Sequence, residues 1–144
     1  MEIGPDKIAD LRVKQLEMVQ AIVARVAGNG ASLKNWCITV TTAVCGFAIS
    51  VRRPLVALVA VVFILLFALL DAQYLRVERQ FRALFGKLRS EDWGTFPSFE
   101  IDLTNAPHVS YSSVLLSWSI VNFYVPLAVA VAIVVLIARR LYGV

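Results

Sequence analysis

Four cations recur along residues 76–87, Arg76, Arg79, Arg82 and Lys87, diluted only by Glu78. Arginine carries a planar fork of N–H donors that matches phosphate oxygens in pairs. Repeated in several copies around an axis, such a row would form a strong anion site, suited to a nucleotide or a short oligonucleotide. Single-stranded nucleic acid also needs aromatic faces to stack on, and Tyr74, Phe81, Phe85 and Trp93 are close by in sequence. The same row equally suits anionic lipid headgroups, at about 1 kcal/mol per cation, or plain solvation. Nothing in it points to duplex DNA.

The other reactive side chains carry less. Cys37 and Cys45 are eight residues apart in an apolar run. On a helix they share a face but stand about 12 Å apart along it, too far to bridge. His108 is the single histidine and has no acidic or cysteine partner at ligand spacing, so no metal site and no cofactor are expected. Glu100 and Asp102 form a carboxylate pair without an evident partner across a cleft. No P-loop, nucleophile elbow, HExxH or GxGxxG motif occurs, and the chain is not expected to be an enzyme.

What must position these groups is a membrane. The 144 residues are 59% hydrophobic, against roughly 45–50% in soluble domains, and the mean hydropathy is +0.74. A chain this short has little soluble core left once spans are set aside. Residues 55–70 hold no polar side chain. The sequence then runs on without a helix breaker to Gly86, so a single helix is expected to join a membrane span to an amphipathic arm striped by Tyr74, Val77, Phe81, Leu84, Phe85 and Leu88. Asp71 stands at the junction, where a carboxylate needs water or a partner, Arg76 or a cation of a neighbouring copy.

Residues 1–30 read as an amphipathic helix with Ile8, Leu11, Leu16, Val19, Ile22, Val23 and Val26 on one side, ended or kinked by Gly28-Asn29-Gly30. Charges occur throughout this segment, so no cleavable signal peptide is expected. Residues 33–51 read as a short first span with Lys34 snorkelling and Trp36 at the interface. Thr39, Thr42, Gly46 and Ser50 lie in it. The ladder of Thr42, Gly46 and Ser50 suits close helix packing or, in an oligomer, a wet stripe facing a pore. Arg52-Arg53-Pro54 is tight enough only for an antiparallel hairpin, with the second span over 54–71. Residues 72–119 form the arm and a connector with a strand-like alternation at 99–103 and a short helix from Pro107, capped by Asn105. The third span covers 120–140, with Asn122 near its start.

The expected fold class is therefore an all-α membrane protein: amphipathic N-terminal helix, transmembrane hairpin continuing into a helical arm, short connector, third transmembrane helix. Ten of the 14 cations fall on the side of the N-terminal segment and the arm, and four, Arg52, Arg53, Arg139 and Arg140, on the other. The positive-inside rule then puts the N-terminus in the cytoplasm and the C-terminus outside.

The runs AIVARVAGNGASLKNW, LLDAQYLRVERQFRALF and NFYVPLAVAV, and above all Asp71, Tyr74, Leu75, Glu78, Arg79, Phe81, Arg82 and Leu84, resemble small multi-span membrane proteins of bacterial anti-phage defence operons. These are SLATT-like in plan, and the chain also resembles the membrane effector of the Hailong system. The resemblance implies a homo-oligomeric pore in the bacterial inner membrane, gated by a nucleotide or oligonucleotide from a partner nucleotidyltransferase. Opening would depolarise the membrane and arrest growth. In the Hailong case the oligonucleotide would hold the channel shut. Two other functions fit the residues alone: a non-conducting anchor that recruits a soluble partner, and a ligand-free, holin-like toxin.

Overall fold

The computed structural model describes residues 4–99, 101, 103 and 109–142. They are all-helical: α1 (Pro5–Ser50), a 3-10 turn (Pro54–Ala57), α2 (Leu58–Ser90), α3 (Tyr111–Leu115) and α4 (Trp118–Tyr142). Helix α2 is central, with α1 antiparallel along one side and α4 along another.

The expected break at Gly28-Asn29-Gly30 does not occur, and residues 1–30 and 33–51 are not separate elements: α1 is one helix of 46 residues. Each glycine costs a helix about 1 kcal/mol relative to alanine. Packing against α2 along the length of α1 offsets that cost, and Gly30 is buried where α2 approaches. The Ser32 hydroxyl also donates to the Gly28 carbonyl across the same turn, at 3.0 Å.

The hairpin turn is as tight as expected. Arg52 takes a left-handed backbone (φ 51°), and the amides of Val51, Arg52 and Arg53 bond the carbonyls of Phe47, Ile49 and Ala48. The last acceptors of α1 are thereby satisfied, and Pro54 opens the next turn, where its missing N–H costs nothing. Helix α2 then passes Asp71 without interruption.

Among the described residues two helices are long and apolar enough to cross a membrane, Pro54–Ser90 and Trp118–Tyr142. Residues 33–51 are less apolar than either, because Lys34, Asn35 and the threonines dilute that stretch. The core joining the three long helices is built from small side chains, Ala48, Ala57 and Ala60, closed by Ile64, Val131 and Val135. Tyr142 donates to the Ile49 carbonyl at 3.4 Å, which brings the C-terminal end of α4, with Arg139 and Arg140, to the hairpin end beside Arg52 and Arg53.

The connector differs from expectation. Phe99, Ile101 and Leu103 are not in a strand, and the short helix described here is Tyr111–Leu115. Glu100, Asp102, Asn105, Pro107 and His108 lie outside the described residues.

Candidate functional site

Where the apolar half of α2 meets its charged half, Asp71 is 3% exposed. Its Oδ2 lies 2.7 Å from Lys34 Nζ on α1 and 3.3 Å from the Tyr124 hydroxyl on α4. The same hydroxyl is within 3.4 Å of the Phe67 carbonyl, so its one proton serves both acceptors. Lys34 Nζ is also 3.4 Å from Ser119 Oγ and 5.9 Å from the centre of the Phe123 ring, which meets Tyr124 edge-on. A β-carbon on Gly30 would stand 3.1 Å from Asp71 Oδ1, so this glycine is what admits the carboxylate. Beside the pair is a cavity of about 190 Å³ whose walls include Lys34, Asp71, Tyr74, Glu78 and Ser119. The ion pair and the tyrosine hydrogen bond together tie three helices at one level.

The cation that meets Asp71 is Lys34 of its own chain, rather than Arg76. Asn122, near the start of the third span, is exposed; the residue that reaches the carboxylate is Tyr124, two positions on. A lysine within an apolar stretch and a tyrosine inside an apolar helix were the available signals.

The cations of the arm have separate fates. Arg76 Nε donates to the Val109 carbonyl at 2.9 Å, fastening the connector to α2. Arg82 is exposed and paired with Glu78 at 2.7 Å, one turn away. Arg79 is half-buried and Lys87 exposed. Within one copy, Arg82 and Lys87 are the cations of this row most open to a ligand. Of the nearby aromatics, Phe81 and Phe85 are half-buried, whereas Trp93 is exposed.

Thr39, Thr42, Gly46 and Ser50 all lie on the side of α1 turned away from α2, together with Asn35. Thr39 Oγ1 donates to the Asn35 carbonyl at 3.0 Å. Exposed apolar side chains border this polar stripe, Trp36 and Phe47 on one flank and Ile38 and Ile49 on the other.

Arg12 is a constellation that the sequence pattern did not reveal. It is 4% exposed, and its guanidinium meets Glu91 Oε2 at 2.8 Å, Thr95 Oγ1 at 2.6 Å and the carbonyls of Thr95 and Asp92, each at 3.2 Å. Gln15 donates to the Ser98 carbonyl alongside. The N-terminal half of α1 thereby clamps the start of the connector.

No protein family, curated protein or solved structure matches this chain. The arrangement itself, a buried ion pair below a clamped connector and a polar stripe facing outward, is what the functional reading rests on.

Proposed function

We propose that the chain is a bacterial inner-membrane protein that assembles into a homo-oligomeric channel, with Thr39, Thr42, Gly46 and Ser50 of each copy facing a central water-filled pore. The observation that supports this reading most is the outward position of that stripe. It runs beside the apolar half of α2, at the depth of the bilayer, with apolar residues exposed on both of its flanks. Hydroxyls facing lipid can bond only their own helix, as Thr39 does, whereas at an axis shared by several copies they also meet water and the flanking apolar residues meet neighbours. In this reading residues 33–51 cross the bilayer as the first of three spans, packed on α2. The amphipathic half of α1, the arm and the connector stand in the cytoplasm, and the C-terminus is periplasmic.

The resemblance to anti-phage effectors supplies the rest of the proposal. A nucleotide or oligonucleotide made by a partner enzyme sets the gate, held through Arg79, Arg82 and Lys87, and opening depolarises the infected cell. Recording the purified protein in planar bilayers tests the channel. Wild type conducts, whereas Thr42→Leu with Ser50→Leu assembles but loses most of the current. Absence of conductance in every ligand condition overturns the proposal. A second reading, an anchor recruiting a soluble partner, is favoured by the exposed Val13 and Met18 on the N-terminal half of α1; it requires that the leucine substitutions leave ion flux unaffected.

A further inference from the structure

Above the polar stripe, the N-terminal half of α1 has two unlike flanks. On one flank an open apolar groove of about 470 Å³ runs between α1 and the arm, walled by Val13, Leu16, Ala21 and Ala24 of α1 and Phe85 of α2, with Glu17 and Gln20 at its edge. On the other flank Met18 stands out, 46% exposed, with the exposed cations Lys14 and Arg25 one to two turns before and after it. Groove and knob are at the same height, because Met18 lies within the 13–24 stretch that walls the groove.

We infer that the occupant of this groove is a second copy of the chain, placed so that Met18 of one copy inserts between Ala21, Ala24 and Phe85 of the next. Three features fix that choice. Copies embedded in one bilayer share a height, so a knob and a groove at one level on opposite flanks meet without any shift along the membrane normal. The charges are complementary: the Lys14 and Arg25 side of one helix faces the Glu17 side of its neighbour, as flanking charges do between paired helices. The small residues Ala21 and Ala24 let a second helix approach closely, and methionine adapts to irregular apolar gaps. Such a contact is head-to-tail, the kind from which rings are built when the rotation between copies closes, and a ring would turn the Thr39, Thr42, Gly46 and Ser50 face to its axis. The inference rests on the oligomer proposed above and names its cytoplasmic interface.

The test is disulfide trapping of the full chain in lipid nanodiscs, with Cys37→Ala and Cys45→Ser as background. The pair Met18→Cys with Ala24→Cys is expected to give a ladder of covalent multimers on oxidation, whereas either cysteine alone gives monomer. Dimers from a single cysteine would overturn the head-to-tail contact in favour of a symmetric one. An oligomeric mass with no trapping from the pair would overturn this interface and leave the oligomer standing. A monomeric mass would overturn both. A charge exchange supplies the independent arm: Glu17→Lys lowers the oligomeric fraction severalfold, and adding Lys14→Glu and Arg25→Glu restores it. If the triple variant is no better than Glu17→Lys, the proposed charge pairing is wrong.

Discussion

Lys34 and Asp71, 37 positions apart in the chain, close an ion pair of 2.7 Å between α1 and α2 at the level where the apolar half of α2 ends. The two partners are unequally buried, with 23% of the lysine side chain exposed and 4% of the carboxylate. Their removal is therefore expected to be unequal. Lys34→Met strands a buried anion, a loss of about 3–5 kcal/mol. Asp71→Asn leaves a lysine that still reaches water, and costs about 1–2 kcal/mol. The double substitution recovers part of the first loss. Thermal melting in detergent should rank the variants in that order; equal destabilisation by the two single changes would contradict the burial argument.

Two glycines two positions apart respond differently to alanine. A β-carbon at Gly28 meets nothing within 4 Å, whereas at Gly30 it stands 3.1 Å from Asp71 Oδ1. Gly28→Ala should gain roughly 0.5–1 kcal/mol of helix stability. Gly30→Ala gains the same backbone term but crowds a carboxylate that Lys34 and Tyr124 already hold. A higher melting temperature for the first and none for the second is the expected result.

Arg12 fastens the connector to α1 through Glu91, Asp92 and Thr95. Arg12→Ala removes every one of these links between α1 and the connector, and Arg12→Lys supplies a point charge in place of a fork. Both should release the segment around Trp93 and Phe96, which are exposed. Chymotrypsin cleavage there should accelerate severalfold, more for alanine than for lysine, while helix content by circular dichroism stays constant. Unchanged cleavage would show that the clamp does not hold the connector.

Arg52 occupies a left-handed backbone conformation that costs a side-chain-bearing residue about 1–2 kcal/mol. Arg52→Gly should raise the melting temperature, and Arg52→Ala should not, since alanine keeps the β-carbon responsible for the strain. A gain from both would point instead to relief of repulsion with Arg53.

Much of the architecture was legible because it depends on local pattern. The run from Leu55 to Leu70 carries no polar side chain, and no breaker follows Asp71 until Gly86, so the uninterrupted α2 could be read directly. The Arg52-Arg53-Pro54 corner likewise left room only for an antiparallel return. The Gly28-Asn29-Gly30 reading failed because propensity is local and the packing that overrides it is not: Gly30 faces a carboxylate 41 positions away. The same limit hid the site. Asp71 was visible as a charge in need of a partner, but nothing in the linear pattern singles out Lys34 from thirteen other cations. Arg12 looked like one more surface charge, because its acceptors on Glu91, Asp92 and Thr95 lie about 80 positions away in a segment without periodicity.

The unbroken course of α1 has a mechanical consequence. At 1.5 Å per residue, its 46 residues make a rod of about 69 Å, more than twice the roughly 30 Å hydrocarbon thickness of a bilayer. Its unbroken backbone places the Arg12 clamp roughly 57 Å along the axis from Ser50, nearly two such thicknesses away from the hairpin turn.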